Sequence, residues 1–127
     1  MQIVRDAARS QKKLLVAQNM QLSESEAAAF WPVYERYQED LRKLDDQTIA
    51  LIQTYANNYQ NMSDTMAQKL LEDFLSLEEQ RVKLNRAYVP ELRKALPAIK
   101  VARYCQLENK FRAVVNYDLA AQIPLIK

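Results

Sequence analysis

The chain has 127 residues, room for one domain, and a net charge of +2. It contains no glycine, no histidine and a single cysteine. Without glycine there is no phosphate-cradling loop or dinucleotide fingerprint, and tight hairpins lose the residue that most easily takes positive φ, so an all-β fold is not expected. Without histidine the commonest metal ligand and neutral-pH base are missing, which excludes His/Cys zinc sites and Ser-His-Asp or Cys-His nucleophiles. Cys105 has no partner for an internal disulfide. Composition therefore predicts a helical binding protein, not an enzyme, with no cofactor and no tightly held metal.

The elements follow in order. A basic helix over 2–20 carries Arg5, Arg9, Lys12 and Lys13 against Asp6, with Ile3, Val4, Ala7, Leu14, Leu15 and Ala17 at helical spacing. Ser23, followed three residues later by Glu26, reads as a capping box for the next helix. That helix, 24–60, has a seven-residue apolar repeat: Ala27, Phe30, Tyr34, Tyr37, Leu41, Leu44, Thr48, Leu51 and Tyr55. Such a seam implies lengthwise packing on another helix. Pro32 predicts a kink, and Asn57, Asn58 and Asn61 mark a turn.

Ser63 caps a third helix, 64–96, whose stripe is Ala67, Leu70, Leu71, Phe74, Leu77, Leu84, Tyr88, Leu92 and Leu96. Pro90 predicts another kink and Pro97 a break. A fourth helix from 98 to near 119 turns Val101, Tyr104, Leu107, Phe111 and Val114 inward. The apolar tail 120–127, with Pro124, should be extended and docked through Ile123, Leu125 and Ile126. The expected fold is all-α: four helices in one domain spanning 1–127, with two long antiparallel helices forming an extended, kinked hairpin.

Charge is uneven. Residues 21–60 hold three basic and seven acidic side chains, a net −4, while 81–112 hold nine basic and two acidic, a net +7. The basic run is either a solvated face complementary to the acidic second helix or a surface for non-native or acidic proteins. In the second case Arg81, Arg86, Arg93, Lys94, Lys100 and Arg103 would contact the partner. Arg81 occupies a seam position and needs an acidic partner or must snorkel outward. Trp31, just off the seam beside Pro32, is either a packing edge or an exposed binding residue. Cys105 reads as a small buried hydrophobe. The pairs Asp45-Asp46 and Glu78-Glu79 point apart on a helix and make poor acid/base pairs.

No run of 18 apolar residues exists, so no transmembrane segment is expected. Met1-Gln-Ile-Val-Arg-Asp6 lacks the apolar stretch of a signal peptide. The chain is thus either cytoplasmic or a mature form whose signal has been removed.

The order of elements, with Leu22-Ser-Glu-Ser-Glu26 opening the long helix, resembles the Spy/CpxP-like family, small periplasmic proteins named for a Leu-Thr-x-x-Gln motif. Ser replaces Thr and Glu replaces Gln, which keeps the capping chemistry. At the place of the second motif, Leu96-Pro-Ala-Ile-Lys100, only the leucine and the helix start survive. The resemblance implies a hooked four-helix hairpin that dimerises into a curved cradle in the periplasm. It also implies an ATP-independent chaperone for unfolded clients, or a modulator of an envelope-stress sensor protein. Zinc-binding relatives exist, but the lack of histidine speaks against that role here. The alternative is a cytosolic helical adaptor, a structural dimer with a protein partner. RNA binding through the +7 region is a weaker third reading, because no aromatic platform motif accompanies it, and no nucleic-acid partner is expected.

Overall fold

The computed structural model describes the backbone of residues 2–127 and the side chains of residues 8–127. Its elements are α1 (Gln2–Met20), α2 (Glu24–Asn58), α3 (Asp64–Ala95) and α4 (Ala98–Gln122), with no strand among the described residues. The ends follow from local chemistry. The Glu26 amide donates to Ser23 Oγ at 3.2 Å and the Ser23 amide donates to Glu26 Oε1 at 2.9 Å, completing the capping box of α2. Ser63 Oγ accepts from the Met66 amide at 3.1 Å to open α3. Between α1 and α2, Gln21 takes the left-handed conformation, φ 51°, that glycine would otherwise fill. Lys100 Nζ donates to its carbonyl at 3.2 Å, which ties this strained residue to α4.

Three predicted ends shift. Helix α2 stops at Asn58, short of residue 60, and the Asn58 side chain donates back to the Thr54 carbonyl at 2.7 Å. Helix α3 stops at Ala95 because Leu96, preceding Pro97, is extended (φ −136°, ψ 151°). Helix α4 runs to Gln122, beyond Leu119, and is ended by Ile123, extended before Pro124. Residues 120–122 of the expected tail are therefore helical. The rest of the tail is held through polar groups: Tyr55 Oη donates to the Pro124 carbonyl and the Lys127 amide donates to the Tyr59 carbonyl at 3.2 Å. Its leucine does not dock; Leu125 is 89% exposed.

The core gathers where all four helices meet. Val16 and Met20 of α1, Phe30, Val33, Tyr34, Tyr37 and Leu41 of α2, Leu92 and Leu96 at the end of α3, and Val101 and Tyr104 of α4 form one buried cluster. Phe30 and Tyr104 meet edge to face at 5.1 Å, and Tyr37 packs on Tyr88 at 4.9 Å. The heptad seam of α2 holds throughout, with each of its nine positions buried or half-buried.

The other stripes need correction. In α1 the buried residues are Val16 and Met20, whereas Leu14, Leu15 and Ala17 are exposed. The inward face runs Arg9, Lys12, Lys13, Val16, Met20, so its first half is cationic and invisible to a search for apolar periodicity. The side chains of Ile3, Val4 and Ala7 lie outside the described residues. Leu71 and Phe74 of α3 and Val114 of α4, expected inside, are 58%, 50% and 63% exposed. All three lie away from the four-helix junction, where neither helix finds a full set of neighbours.

Replacing Ser23 with Ala removes the acceptor for the Glu26 amide and should cost about 1 kcal/mol. A urea titration reads this as a lower midpoint at unchanged slope.

Candidate functional site

Each basic residue of 81–112 either holds the bundle or faces solvent. Arg81 donates to Asp45 of α2 at 3.1 Å, and only 13% of its side chain is exposed. Its Nε is buried without a hydrogen-bond partner among the described residues, the cost of a guanidinium at a seam position. Arg112 of α4 donates to Glu78 of α3 at 3.0 Å. Its pKa is drawn down by burial and by Arg81. Lys100 donates to Glu26 at 2.6 Å and holds that carboxyl below its ordinary pKa, with the Ser23 amide helping. Arg103 Nε donates to the Asn19 carbonyl at the end of α1, at 2.7 Å. Arg81, Lys100 and Arg103 thus serve the fold: the first two meet acids of α2, as a complementary face would, and Arg103 meets a backbone carbonyl of α1.

The remaining cations differ. Lys94 pairs only with Glu91 one turn away on its own helix, at 3.3 Å. Lys83, Arg86, Arg93 and Lys110 are exposed and make no hydrogen bond or ion pair among the described residues. Arg93 and Lys94 line a shallow open groove with Val89 and Pro90. Trp31 stands apart from this surface. Its ring packs at 4.9 Å from Phe30 and 5.2 Å from Tyr34, and Lys13 Nζ lies 5.2 Å from its centroid. It is the packing edge that fastens α1 to α2.

Apolar side chains accompany the free cations. Leu71, Phe74, Leu75 and Val82 on α3 and Val114, Val115 and Tyr117 on α4 are each at least 49% exposed. The surface is mixed, with long cationic side chains beside uncovered aliphatic and aromatic groups.

A second constellation was not legible in the sequence. Lys12 of α1 lies 2.7 Å from Glu108 Oε1 and donates to Gln38 at 2.9 Å. Gln38 donates in turn to Tyr104 Oη at 3.1 Å and to Glu108 at 3.3 Å. The Glu108 side chain is only 9% exposed. Next to this network an open cleft of about 330 Å³ between α1 and α2 is lined by Arg9, Ser10, Lys13, Tyr34, Glu35 and Gln38. Burial, and then the Glu108 charge, push the phenols of Tyr34, Tyr37 and Tyr104 well above their ordinary pKa. Tyr88 is pushed up to about 12 by burial and by its hydrogen bond to Asp40. Burial also raises the Cys105 thiol, with Glu108 adding to the effect, so it is a poor nucleophile at neutral pH. The only sequence clue to this network is Lys12 at i−4 from Val16, which requires knowing that Val16 is inside.

Among the described residues no group of three or more His, Cys, Asp or Glu is placed to hold a metal. No helix is long and apolar enough to cross a membrane. Comparison with known proteins gave no matching family model, no matching curated protein and no matching solved structure.

Two outcomes follow from the buried network. Lys12→Ala should cost roughly 2 kcal/mol, below the range for a fully buried pair because a quarter of the Lys12 side chain is exposed. Adding Glu108→Gln should recover part of that loss, and chemical denaturation of the four members of the cycle checks it. Stability should also fall at high pH. Unfolding releases phenols with their ordinary pKa of 10.0, whereas folded Tyr88 ionises only near 12. Between these values the folded state binds more protons, so the stabilisation present below pH 10 is lost as pH rises towards 12, and Tyr34, Tyr37 and Tyr104 act in the same direction. Tyrosinate absorbance from these four should appear together with the loss of helical circular dichroism.

Proposed function

We propose that the chain is a non-enzymatic helical binding protein of the Spy/CpxP-like kind, acting in the periplasm as an ATP-independent holder of unfolded proteins and working as a homodimer. Its α2 and α3 form the extended antiparallel hairpin, kinked at Pro32 and Pro90. The order of the cross-helix contacts supports the hairpin: Asp40 meets Tyr88, and five residues further along α2, Asp45 meets Arg81, earlier in α3. Each proline lies inside a continuous helix, where it removes one backbone donor and crowds the preceding turn.

One observation carries the functional reading: large apolar side chains stand exposed on α3 and α4, the helices that also carry cations bridging no two helices among the described residues. Lys83, Arg93, Lys94 and Lys110 supply long-range attraction for clients. Phe74, Val114, Val115 and Tyr117 supply weak, plural apolar contacts once a client arrives. The residues capable of acid–base or nucleophilic work are turned to structure, since Tyr34, Tyr37, Tyr104 and Cys105 are held protonated by burial. A sensor-docking or adaptor role would use the same surface for one folded partner instead of many unfolded ones.

The test is suppression of aggregation of a model unfolded protein, without nucleotide, at low and high salt. Wild type should protect at several-fold excess, less so as salt rises. Lys83→Glu, Lys94→Glu and Lys110→Glu together should slow capture and reduce protection while circular dichroism stays helical. Absence of protection by the wild type would overturn the holding function in favour of a defined partner.

A further inference from the structure

Helix α3 carries two faces. One packs on α2 through Leu70, Leu77, Leu84, Tyr88 and Leu92. The other is largely open to solvent, touched by α4 through the Arg112–Glu78 pair, and just as regular. Leu71, Leu75, Glu78, Val82, Arg86, Val89 and Arg93 follow one another at spacings of 4, 3, 4, 4, 3 and 4, a pattern that repeats every 11 residues. An 11-residue period gives 3.67 residues per turn, close to the natural 3.6, so these side chains line up along a nearly straight helix. They are open to solvent: Leu71, Leu75 and Val82 are 58%, 49% and 57% exposed, Arg86 and Arg93 are exposed, and Val89 is half-buried. At 1.5 Å per residue the stripe is about 33 Å long.

We propose that a second copy of this chain docks on this face, with the two α3 helices antiparallel about a two-fold axis at Val82. The inference rests on the homodimer part of the functional reading and not on client holding. What selects a second copy is that the stripe, read backwards, is its own complement. Across a two-fold at Val82, Leu75 opposes Val89 of the other copy, Glu78 opposes Arg86, and Leu71 opposes Arg93, whose aliphatic stem can cover it. Each apolar and ionic contact forms twice, and Val82 meets itself at the centre.

Other occupants fit less well. Parallel pairing would set Glu78 against Glu78 and Arg86 against Arg86. A uniformly acidic helix would suit the arginines and repel Glu78. Glu78 binds Arg112 of its own chain through Oε1 alone, so its second oxygen has no protein donor among the described residues and can accept from Arg86. Arg86 has no partner among the described residues and gains one here, which moves it from client capture to self-pairing. Phe74 and the exposed residues of α4 lie outside the stripe, so docking leaves them for clients.

The experiment is sedimentation velocity of the full chain across the micromolar range, at low salt, for wild type, Arg86→Glu, Glu78→Arg and the double charge swap. Wild type should dimerise. Each single reversal should raise the dissociation constant at least ~10-fold by placing like charges opposite each other, and the double swap should recover most of the loss. Glu78→Arg also breaks the Arg112 pair, so circular dichroism accompanies it, and Arg86→Glu, which breaks no contact among the described residues, decides if the two disagree. Independently, Val82→Cys in a Cys105→Ser background should cross-link two chains under mild oxidation, as residues on a two-fold axis can. A wild type that stays monomeric overturns both the homodimer and its register. A dimer that ignores Arg86→Glu and does not cross-link through Val82→Cys overturns this interface alone. The aggregation assay, read on the lysine reversals outside the stripe, reports on client holding separately.

Discussion

Tyr104 is the side chain on which the four helices converge. Its ring packs edge to face on Phe30 and lies within 6.4 Å of the rings of Tyr34 and Tyr37, while its hydroxyl accepts from Gln38. Burying a ring of this size contributes roughly 2 kcal/mol, and each well-placed aromatic contact adds a fraction more. One turn further along α4, Glu108 projects into the same junction and draws Lys12 of α1 inward. The apolar contacts give the junction its stability, and the Lys12–Gln38–Glu108 network fixes how α1 lies on it. A buried carboxylate is tolerable only with a cation and donors beside it, so α1 is specified by charge as much as by Val16 and Met20.

Concentrating the core at one end has a consequence for the other. Beyond Leu44 of α2 and Val101 and Tyr104 of α4, the buried residues thin out to Leu70 and Leu77 of α3. Helix α4 keeps to α3 there through Arg112 and Glu78, and the tail is held by the Tyr55 hydroxyl of α2 on the Pro124 carbonyl and by the Lys127 amide on the Tyr59 carbonyl. Polar contacts position these segments without covering their aliphatic side chains. A chain of this size spread over long helices buries a thinner core than a globule would, and the remaining apolar side chains stay exposed. Of the cations without a partner among the described residues, Lys110 lies at that end, whereas Arg93 adjoins Leu92 at the junction, and Arg81, Lys100 and Arg103 are engaged by Asp45, Glu26 and the Asn19 carbonyl.

Reading the residues in order recovers some parts of this arrangement better than others. The seam of α2 was legible because it is long and its positions are large, so a seven-residue period stands out over four heptads. Ser23, Glu26 and Ser63 were legible because caps act within three residues and need no tertiary partner. The inner face of α1 was not, since Arg9, Lys12 and Lys13 occupy it, and Lys12 and Lys13 are held there by Glu108, Gln38 and Glu35 of other helices. The candidate surface divided for the same reason. In the run from Arg81 to Arg103 the seam position marks Arg81 alone as needing an acidic partner, and nothing there separates Arg86, which faces water, from Lys100, which faces Glu26. That difference is set by which helix lies alongside.

The sequence by itself determined the four helices, their starts and the helical class, because propensity, capping and proline act over a few residues and glycine is absent altogether. Where the helices end depended on φ and ψ at Leu96 and Ile123, still local and traceable to the prolines that follow. Tertiary structure alone decided which of two equally periodic faces of α1 and α3 turns inward, which cations are spent on the fold, and where the core stops. Those outcomes follow from distances between residues as far apart in the chain as Lys12 and Glu108, and electrostatic attraction and burial depend on distance in space, not on position in sequence.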